Sequence, residues 1–231
     1  MRFDKPLVLG TLVKRYKRFL ADVRMADGSL VIAHAPNSGS MRGCAEPGMR
    51  VALSHRPSPT RKLHWTWELV EVDDTWVCIN TSLPNHIVAE AIANGRLGPL
   101  RGYPQVRPEV AYGTRSRIDL LLTGHRGRCW VEVKNCTMRV GRQAQFPDAV
   151  TTRGAKHLRE LAKVVRQGDR GVILFLVNRA DCASMAPADD IDPGYAKLLR
   201  RVTEAGVEAL AYRTRCGLEG IEVERKLPVR L

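Results

Sequence analysis

The sequence has few aromatic residues, no Cys-x-x-Cys pair and no apolar run long enough to cross a bilayer. Phenylalanine, tryptophan and tyrosine make up 6% of its 231 residues. None of the six cysteines has a histidine at zinc-finger spacing, which excludes a zinc-finger site. A membrane helix needs about 20 consecutive apolar residues, and the first residues lack the apolar segment of a secretory signal. We therefore expect a cytoplasmic protein with reduced, buried cysteines and no membrane partner.

The sequence also has fewer acidic than basic residues. Lysine and arginine number 37 against 24 aspartates and glutamates, which gives a net charge of +13. The excess is spread along the whole chain and forms no charged tail, so it predicts a folded body with a basic surface. Such a surface favours a polyanion as partner, most often nucleic acid, although a basic protein can also be merely soluble. No helix-turn-helix or other motif that reads the major groove is present.

The order of sequence patterns predicts two domains. The first third contains short strands broken by glycine and proline turns, which is typical of a small β-barrel of OB-like or SH3-like type. A helical period begins at Pro84 and stops at Gly95. Strands and helices then alternate, which predicts a mixed sheet flanked by helices. We place the barrel at 1–84 and the α/β domain at 85–231. The α/β domain is predicted to contain strands 109–112, 117–123, 128–134, 171–177, 207–213 and 221–226, and helices 151–167 and 193–205.

Two neighbouring strands of the second domain carry the residues that indicate chemistry. A hairpin symmetric about His125 and Arg126 would place Asp119 opposite Glu132, with Cβ atoms roughly 4.5–5.5 Å apart. Two bare carboxylates that close repel by about 4 kcal/mol at an effective dielectric near 20. A divalent cation between them would reverse that repulsion, since Mg²⁺ takes hard oxygen ligands. Lys134, on the same face, could polarise a water or stabilise developing phosphate charge.

An alternative explains the same three residues without catalysis. Asp119, Glu132 and Lys134 could form a surface ion network, because glutamate and lysine two residues apart on a strand pair readily. Glu109, ten residues before Asp119, is a candidate third metal carboxylate or a solvated residue at the edge of a strand. The spacing alone leaves both interpretations open.

Asp119, Glu132 and Lys134 are similar to the PD-(D/E)xK nuclease signature, which is short enough to arise by chance. Longer words resemble the sugar fermentation stimulation protein (SfsA) family over residues 1–231: YKRFLADV (16–23), PNSGSM (36–41), TWEL (66–69), SRID (116–119), FPDAV (146–150) and RGAKHL (153–158). The resemblance implies an α/β fold in two domains. These are an N-terminal OB-like β-barrel and a C-terminal mixed α/β sheet of restriction-endonuclease-like type.

The resemblance also implies a DNA-binding protein with a nuclease-like domain. We expect Mg²⁺ or Mn²⁺ at Asp119 and Glu132, with Glu109 and the carbonyl of Val133 as further candidate ligands. The catalytic candidates are Asp119, Glu132 and Lys134. Two other functions stay open. One is a non-cleaving DNA-binding regulator of sugar-fermentation genes on a nuclease scaffold, and the other is an RNA-handling or structural role.

Several basic residues are candidates for contact with nucleic acid. In the first domain, basic residues alternate with aromatic residues, as in a protein surface on which single-stranded nucleic acid stacks its bases. In the second, a helical face with Arg153, Lys156, His157 and Glu160 suits phosphate contact, or is an ordinary solvated basic face. The full set of nucleic-acid-binding candidates is Lys14, Arg15, Tyr16, Lys17, Arg18, Arg117, Arg153, Lys156 and His157.

Three further features each allow two interpretations. The tryptophans Trp65, Trp67 and Trp76 pack a barrel core or stack on bases. The glycine-containing segment 37–43 cradles a phosphate or makes a tight turn between strands. Asp148 ligates a metal or, as the preferred interpretation, caps the following helix.

Overall fold

The first domain is a closed barrel of short strands. The structure, a computed structural model, describes residues 1–112 and 116–231. The strands of the first domain are β1 (Val8–Tyr16), β2 (Leu20–Met25), β3 (Leu30–His34), β4 (Arg50–His55), β5 (Trp65–Val72) and β6 (Thr75–Cys78). Strand β3 pairs with both β2 and β5, so five strands close into a barrel, and β6 extends it from β5. Closure removes the free sheet edges that an open five-stranded sheet would expose.

The second domain contains the predicted alternation of strands and helices. Its helices are α1 (Pro84–Ala93), α2 (Thr152–Arg166) and α3 (Pro193–Glu204), with a short 3-10 turn at Gly98–Leu100. Its strands are β7 (Gln105–Tyr112), β8 (Ser116–Gly124), β9 (Gly127–Cys136), β10 (Arg139–Val140), β11 (Gln143–Phe146), β12 (Arg170–Val177), β13 (Ser184–Pro187), β14 (Glu208–Gly217) and β15 (Gly220–Leu227). Strands β10, β11 and β13 form a small sheet that was not predicted. The boundary at residue 84 stays a prediction.

The main sheet of this domain has the order β15-β14-β12-β9-β8-β7. Strands β9, β12 and β14 are parallel, and the others join antiparallel. Helix α1 covers one face and helices α2 and α3 cover the other. Proline at the start of α1 and α3 fixes a helical φ where no backbone donor is needed. Among the described residues, no helix is long and apolar enough to span a membrane.

The two domains share one apolar core. Buried Leu69 and Cys78 of the barrel lie in the same cluster as Ile87 of α1 and Leu174 of the main sheet. The backbone of Cys78 also donates a hydrogen bond of 3.0 Å to the carbonyl of Asn178. The barrel is therefore fixed against the sheet by burial as well as by hydrogen bonding.

Candidate active site

The β8–β9 hairpin has the predicted register. Leu120 pairs with Val131 and Gly124 pairs with Gly127, so the turn is centred on His125 and Arg126. Asp119 is the residue before Leu120 in β8, and its side chain contacts the neighbouring strand β9. Its Oδ2 atom accepts a hydrogen bond of 2.7 Å from the backbone N–H of Val133.

Glu132 is the buried centre of the site. Its side chain is 2% exposed, and its Oε1 atom accepts hydrogen bonds from the Lys134 ammonium at 2.5 Å and from Nδ1 of His157. Within residues 1–112 and 116–231, no group donates a hydrogen bond to the buried Oε2 atom. Since a buried carboxylate oxygen left unpaired is costly, a ligand that satisfies this atom would bind favourably there.

Asp119 and Glu132 have pKa values shifted in opposite directions. Burial and then the nearby Glu132 charge raise the pKa of Asp119, only partly offset by the Val133 N–H, Lys134 and Asn85. Burial also acts to raise the pKa of Glu132, but the hydrogen bond from His157 and the charge of Lys134 outweigh it, so that pKa is lowered. The two carboxylates repel each other, and this is the condition that a bound cation relieves.

Asn85 is a site residue that no sequence pattern indicates. It lies in the first turn of α1, and its Nδ2 atom donates to Oδ1 of Asp119 at 3.0 Å and to Oε1 of Glu109 at 3.5 Å. A family alignment would be needed to find it from sequence, because a single asparagine after a proline is an unremarkable helix start.

Glu109 lies beside the carboxylate pair rather than in the same cavity. It is exposed, has a positive φ of 53° and lines a neighbouring cavity of about 420 Å³. That cavity is also lined by Arg117, Arg153, Lys156 and His157. Glu109 as a metal ligand therefore stays a prediction.

Asp119, Glu132 and Lys134 line one cavity of about 430 Å³. Arg153 and His157 of α2 also line it, so it adjoins the cavity beside Glu109. Residues of the barrel complete it: Asn37, Ser38 and Gly39. The site is thus built by both domains.

Helix α2 differs from the predicted exposed face. His157 and Glu160 are buried rather than solvated, because His157 binds Glu132 and Glu160 pairs with Lys163 at 3.0 Å. The Nδ1 atom of His157 faces a carboxylate while the residue lines both cavities, so its contact with nucleic acid stays a prediction. Arg153 is exposed and Lys156 is half-buried, and both line the cavity beside Glu109.

The interpretation of Asp148 as a helix cap was wrong. Thr151 caps α2, with its hydroxyl accepting from the N–H of Gly154 at 3.0 Å. The Oδ2 atom of Asp148 instead accepts from the Ser40 hydroxyl at 3.0 Å and from the Met41 N–H at 3.2 Å. Asp148 therefore joins the second domain to the barrel.

The basic-aromatic segment of the barrel divides into exposed and structural residues. Arg15 corrects the expectation of a nucleic-acid contact, because its guanidinium donates to the carbonyls of Asn37 and Gly39 at 2.8 and 3.1 Å. Lys17 and Arg18 are exposed at the tip of the β1–β2 turn, both with positive φ.

The aromatic rings around this turn are placed differently. Tyr16 is half-buried, and its hydroxyl donates to Asp22 at 3.0 Å. Lys14 is exposed and lies 3.5 Å from the same carboxylate. Phe19 is 46% exposed and stacks on His34. Phe19, the last residue of the basic-aromatic segment, is therefore a more accessible stacking surface than Tyr16.

The tryptophans belong mainly to packing. Trp67 is fully buried in the barrel core, and its Nε1 atom donates to the carbonyl of Leu69 at 2.9 Å. Trp65 is half-buried and stacks on His55, with ring centroids 4.3 Å apart. Trp76 lies under the guanidinium of Arg50. The core interpretation is confirmed for Trp67.

The carboxylate pair fits a single hard cation. Within residues 1–112 and 116–231, no three His, Cys, Asp or Glu side chains converge on one point as a ready-made metal site. Asp119 and Glu132 nevertheless supply two carboxylates, and Oε2 of Glu132 is the unpaired buried oxygen that a cation would satisfy.

Two family models match consecutive parts of the chain. The model described as the SfsA N-terminal OB domain matches residues 13–79. The model described as the sugar fermentation stimulation protein RE domain matches residues 82–220.

All six cysteines are free and buried, as expected from their apolar surroundings in the sequence.

Curated relatives and one solved structure match almost the whole chain. A sugar fermentation stimulation protein homolog from Pelobacter propionicus is 62% identical over 226 residues, covering 98% of this chain and 98% of that protein. The homolog from Geobacter sulfurreducens is 59% identical over 229 residues, covering 99% and 98%. The structure of Pyrococcus furiosus SfsA in complex with Ca²⁺ has a TM-score of 0.92 at 28% identity, covering 100% of this chain and 98% of that one. These matches confirm the predicted fold class, an OB-like barrel followed by a mixed α/β sheet of restriction-endonuclease-like type, and the chain belongs to the sugar fermentation stimulation protein (SfsA) family.

Proposed function

We propose that this protein hydrolyses phosphodiester bonds in DNA at the cavity formed by Asp119, Glu132 and Lys134. The observation that carries the proposal is the convergence of these three side chains, with Oε2 of Glu132 buried and unpaired. An ion network on the surface would not bury one carboxylate to 2% exposure and leave its second oxygen without a partner.

Asp119 and Glu132 would hold one Mg²⁺ or Mn²⁺, with the carbonyl of Val133 as a further ligand. When bound, such an ion supplies Lewis acidity and a more acidic water. The Ca²⁺ in the structure of Pyrococcus furiosus SfsA supports a hard divalent cation in this family. The hydrogen bond from Asn85 would fix Oδ1 of Asp119, and His157 would fix Oε1 of Glu132.

Lys134 has a separate role in the proposed reaction. Its side chain is 13% exposed and is held 2.5 Å from Glu132, so its position is fixed before substrate arrives. The ammonium would stand beside the attacking water and stabilise the negative charge that develops on the phosphate oxygens. Because a lysine ammonium cannot ligate a metal, removing it should impair hydrolysis without removing the cation.

Charge supports DNA as the substrate. The chain carries a net charge of +13, and Arg153 with Lys156 lines the cavity next to the carboxylates. Arg117 lines the same cavity. Cationic side chains there would contact phosphates flanking the scissile bond and position the strand.

The test is incubation with labelled single- and double-stranded DNA in Mg²⁺, in Mn²⁺ and in EDTA. We expect cleavage with metal and none in EDTA, and we expect Glu132→Gln and Lys134→Ala to lose it. Arg166→Ala at the exposed end of α2 is the matched control and should cut normally. Cleavage that survives EDTA, or equal cleavage by wild type and Glu132→Gln, would contradict the proposal.

A second candidate is a DNA-binding regulator that does not cut. It is favoured by the pairing of Lys134 and His157 with Glu132, which partly neutralises that carboxylate from within the protein. This function predicts equal affinity for DNA in EDTA and in Mg²⁺, and no product with either strand type. Metal-dependent cleavage would exclude it.

A further inference from the structure

The barrel supplies one wall of the candidate active site. The segment 37–41, here called the barrel loop, lies in the connection from β3 to β4 and lines the cavity through Asn37, Ser38 and Gly39. Arg153 of α2 lines the same cavity. The carboxylates are therefore enclosed by elements of both domains.

The barrel loop is held firmly within its own domain. Arg15 donates to the carbonyls of Asn37 and Gly39, and the Asn37 side chain spans the loop by donating to Ile79 at 2.9 Å and accepting from the Gly39 N–H at 2.8 Å. Met41 anchors the far end with a buried side chain in the barrel core. A loop tied at so many points keeps its position when a ligand arrives.

The same loop is also tied to the second domain. Asp148 accepts from the Ser40 hydroxyl and the Met41 N–H, across 108 and 107 residues of sequence. A Cβ atom at Gly39 would lie 2.8 Å from Oδ2 of Asp148 and 3.1 Å from Oδ1 of Asn37, so a larger residue there would displace the Asp148 carboxylate. The close approach of Gly39 therefore helps to hold the barrel loop against Asp148.

These hydrogen bonds favour one interpretation of the segment. The N–H groups of Gly39, Met41 and Arg42 already donate to side chains within the protein. These three N–H groups are therefore engaged within the protein, which favours the tight-turn interpretation of the segment. Ser38 is exposed and is the side chain of the loop that a ligand in the cavity would meet.

We propose that the barrel loop and α2 form a slot that admits a single strand of nucleic acid and excludes a continuous duplex. The inference rests on the nucleic-acid substrate of the proposed function. Because Glu132 is 2% exposed, the reacting phosphate must enter the cavity. A cavity of about 430 Å³ is in the range of small-ligand sites, so it accommodates one nucleotide. A flexible single strand can follow the cavity with its backbone, whereas the second strand of a rigid duplex would meet the barrel loop or α2.

The test uses a cysteine placed in the slot. All six native cysteines are buried, and burial raises the pKa of Cys44 and Cys182 to about 11, so none competes for a maleimide. In Ser38→Cys, the introduced thiol is labelled in EDTA with a short oligothymidylate or with a blunt-ended duplex of the same length. Ala205→Cys at the exposed end of α3 is the control.

We expect the single strand to slow labelling of Ser38→Cys roughly tenfold when it is present at about ten times its Kd. The duplex should leave that rate unchanged, and neither should affect Ala205→Cys. Equal protection by strand and duplex overturns the proposal. The proposal is also overturned if the single strand does not protect Ser38→Cys from labelling. This holds whether fluorescence anisotropy shows that the strand binds elsewhere on the protein or that it does not bind.

The outcome is separable from nuclease activity because no cleavage is needed for protection. If the single strand alone protects Ser38→Cys and no DNA is cleaved in Mg²⁺ or Mn²⁺, the slot proposal stands and the nuclease proposal is rejected. Cleavage of duplex and strand at equal rates would retain the nuclease and reject the slot. Gly39→Ala, or the milder Asp148→Asn, should reduce the difference between strand and duplex in the protection assay, with folding checked by circular dichroism. An unchanged difference in both folded variants also overturns the proposal.

Discussion

The side-chain amide of Asn85 donates to Oδ1 of Asp119 while the backbone of Val133 donates to Oδ2, so both oxygens of this carboxylate are held in place. Residues that orient a metal ligand without touching the metal typically change affinity or activity 10–100-fold when removed. We expect Asn85→Ala to weaken binding of Mn²⁺ by about that factor.

The measurement for Asn85 is isothermal titration with Mn²⁺. Asn94→Ala, at the exposed other end of α1, is the matched control and should bind like wild type. Equal affinity in Asn85→Ala and wild type would show that Asp119 keeps its orientation through Val133 alone.

A bound divalent ion should stabilise the fold through the same carboxylates. A ligand at about 100 times its Kd adds about 2.7 kcal/mol to the free energy of unfolding, which is a rise of roughly 5–10 °C in Tm for a protein of this size. We expect Mn²⁺ to raise the Tm of wild type and Lys134→Ala, but not that of Glu132→Gln. Differential scanning calorimetry with Mn²⁺ and with EDTA measures the change in Tm. An equal rise in Tm in Glu132→Gln would show that the ion binds elsewhere.

Two neighbouring arginines of the barrel should behave differently on mutation. Arg18 is exposed at the tip of the β1–β2 turn, and Arg15 is bound to carbonyls of the barrel loop. Arg18→Ala should reduce the salt dependence of single-strand binding, lowering the log–log slope by about 0.7 for one lost phosphate contact. Arg15→Ala should lower Tm instead. Anisotropy titrations at several salt concentrations measure the slope, and a thermal melt of each variant measures Tm. An Arg15→Ala variant with an unchanged Tm and a reduced slope would show that Arg15 contacts nucleic acid.

The pH dependence of stability should include a contribution from Asp181. This carboxylate accepts two hydrogen bonds from buried Arg179, at 2.6 and 2.7 Å, and lies 3.0 Å from Arg139. Burial acts to raise its pKa, but the Arg179 hydrogen bonds and charge outweigh burial, so the pKa of Asp181 is lowered. A depressed carboxylate pKa stabilises the fold above the unfolded value, near 3.9, and that stability is lost as pH falls through the folded value.

Asp181→Asn should therefore destabilise the protein at pH 7 by about 1–3 kcal/mol, since a buried arginine loses its charged acceptor. The difference in Tm from wild type should shrink as the pH falls below about 4. Asp189→Asn, which breaks an exposed pair with Arg200, is the control and should cost little at any pH. A difference that stays constant down to pH 3 would contradict the assignment.

The sequence was sufficient to predict the β8–β9 hairpin, because period-two alternation and the Gly127 turn determine both strand and register. It was also sufficient for α3, where Asp192 and Pro193 begin the helix and Gly206 follows it. Strands β10, β11 and β13 were missed because segments of two to four residues are too short to show a period.

The contacts that assemble the site could not be predicted in the same way. Asn85 meets Asp119 across 34 residues, and Ser40 meets Asp148 across 108. Such pairs depend on how whole elements pack, which propensity and local pattern do not encode. His157 was assigned to an exposed face for the same reason, since α2 is rotated to bring its imidazole onto Glu132.

The apolar core that runs from the barrel into the main sheet has a mechanical consequence. With Leu69 and Cys78 of the barrel in one cluster with Ile87 and Leu174, a hinge motion between domains would expose apolar surface on both sides. The two halves should therefore behave as one rigid body and unfold cooperatively. Access to Glu132 then depends on the shape of the opening that the folded chain already has, and a substitution in the barrel core can alter chemistry in the other domain without touching it.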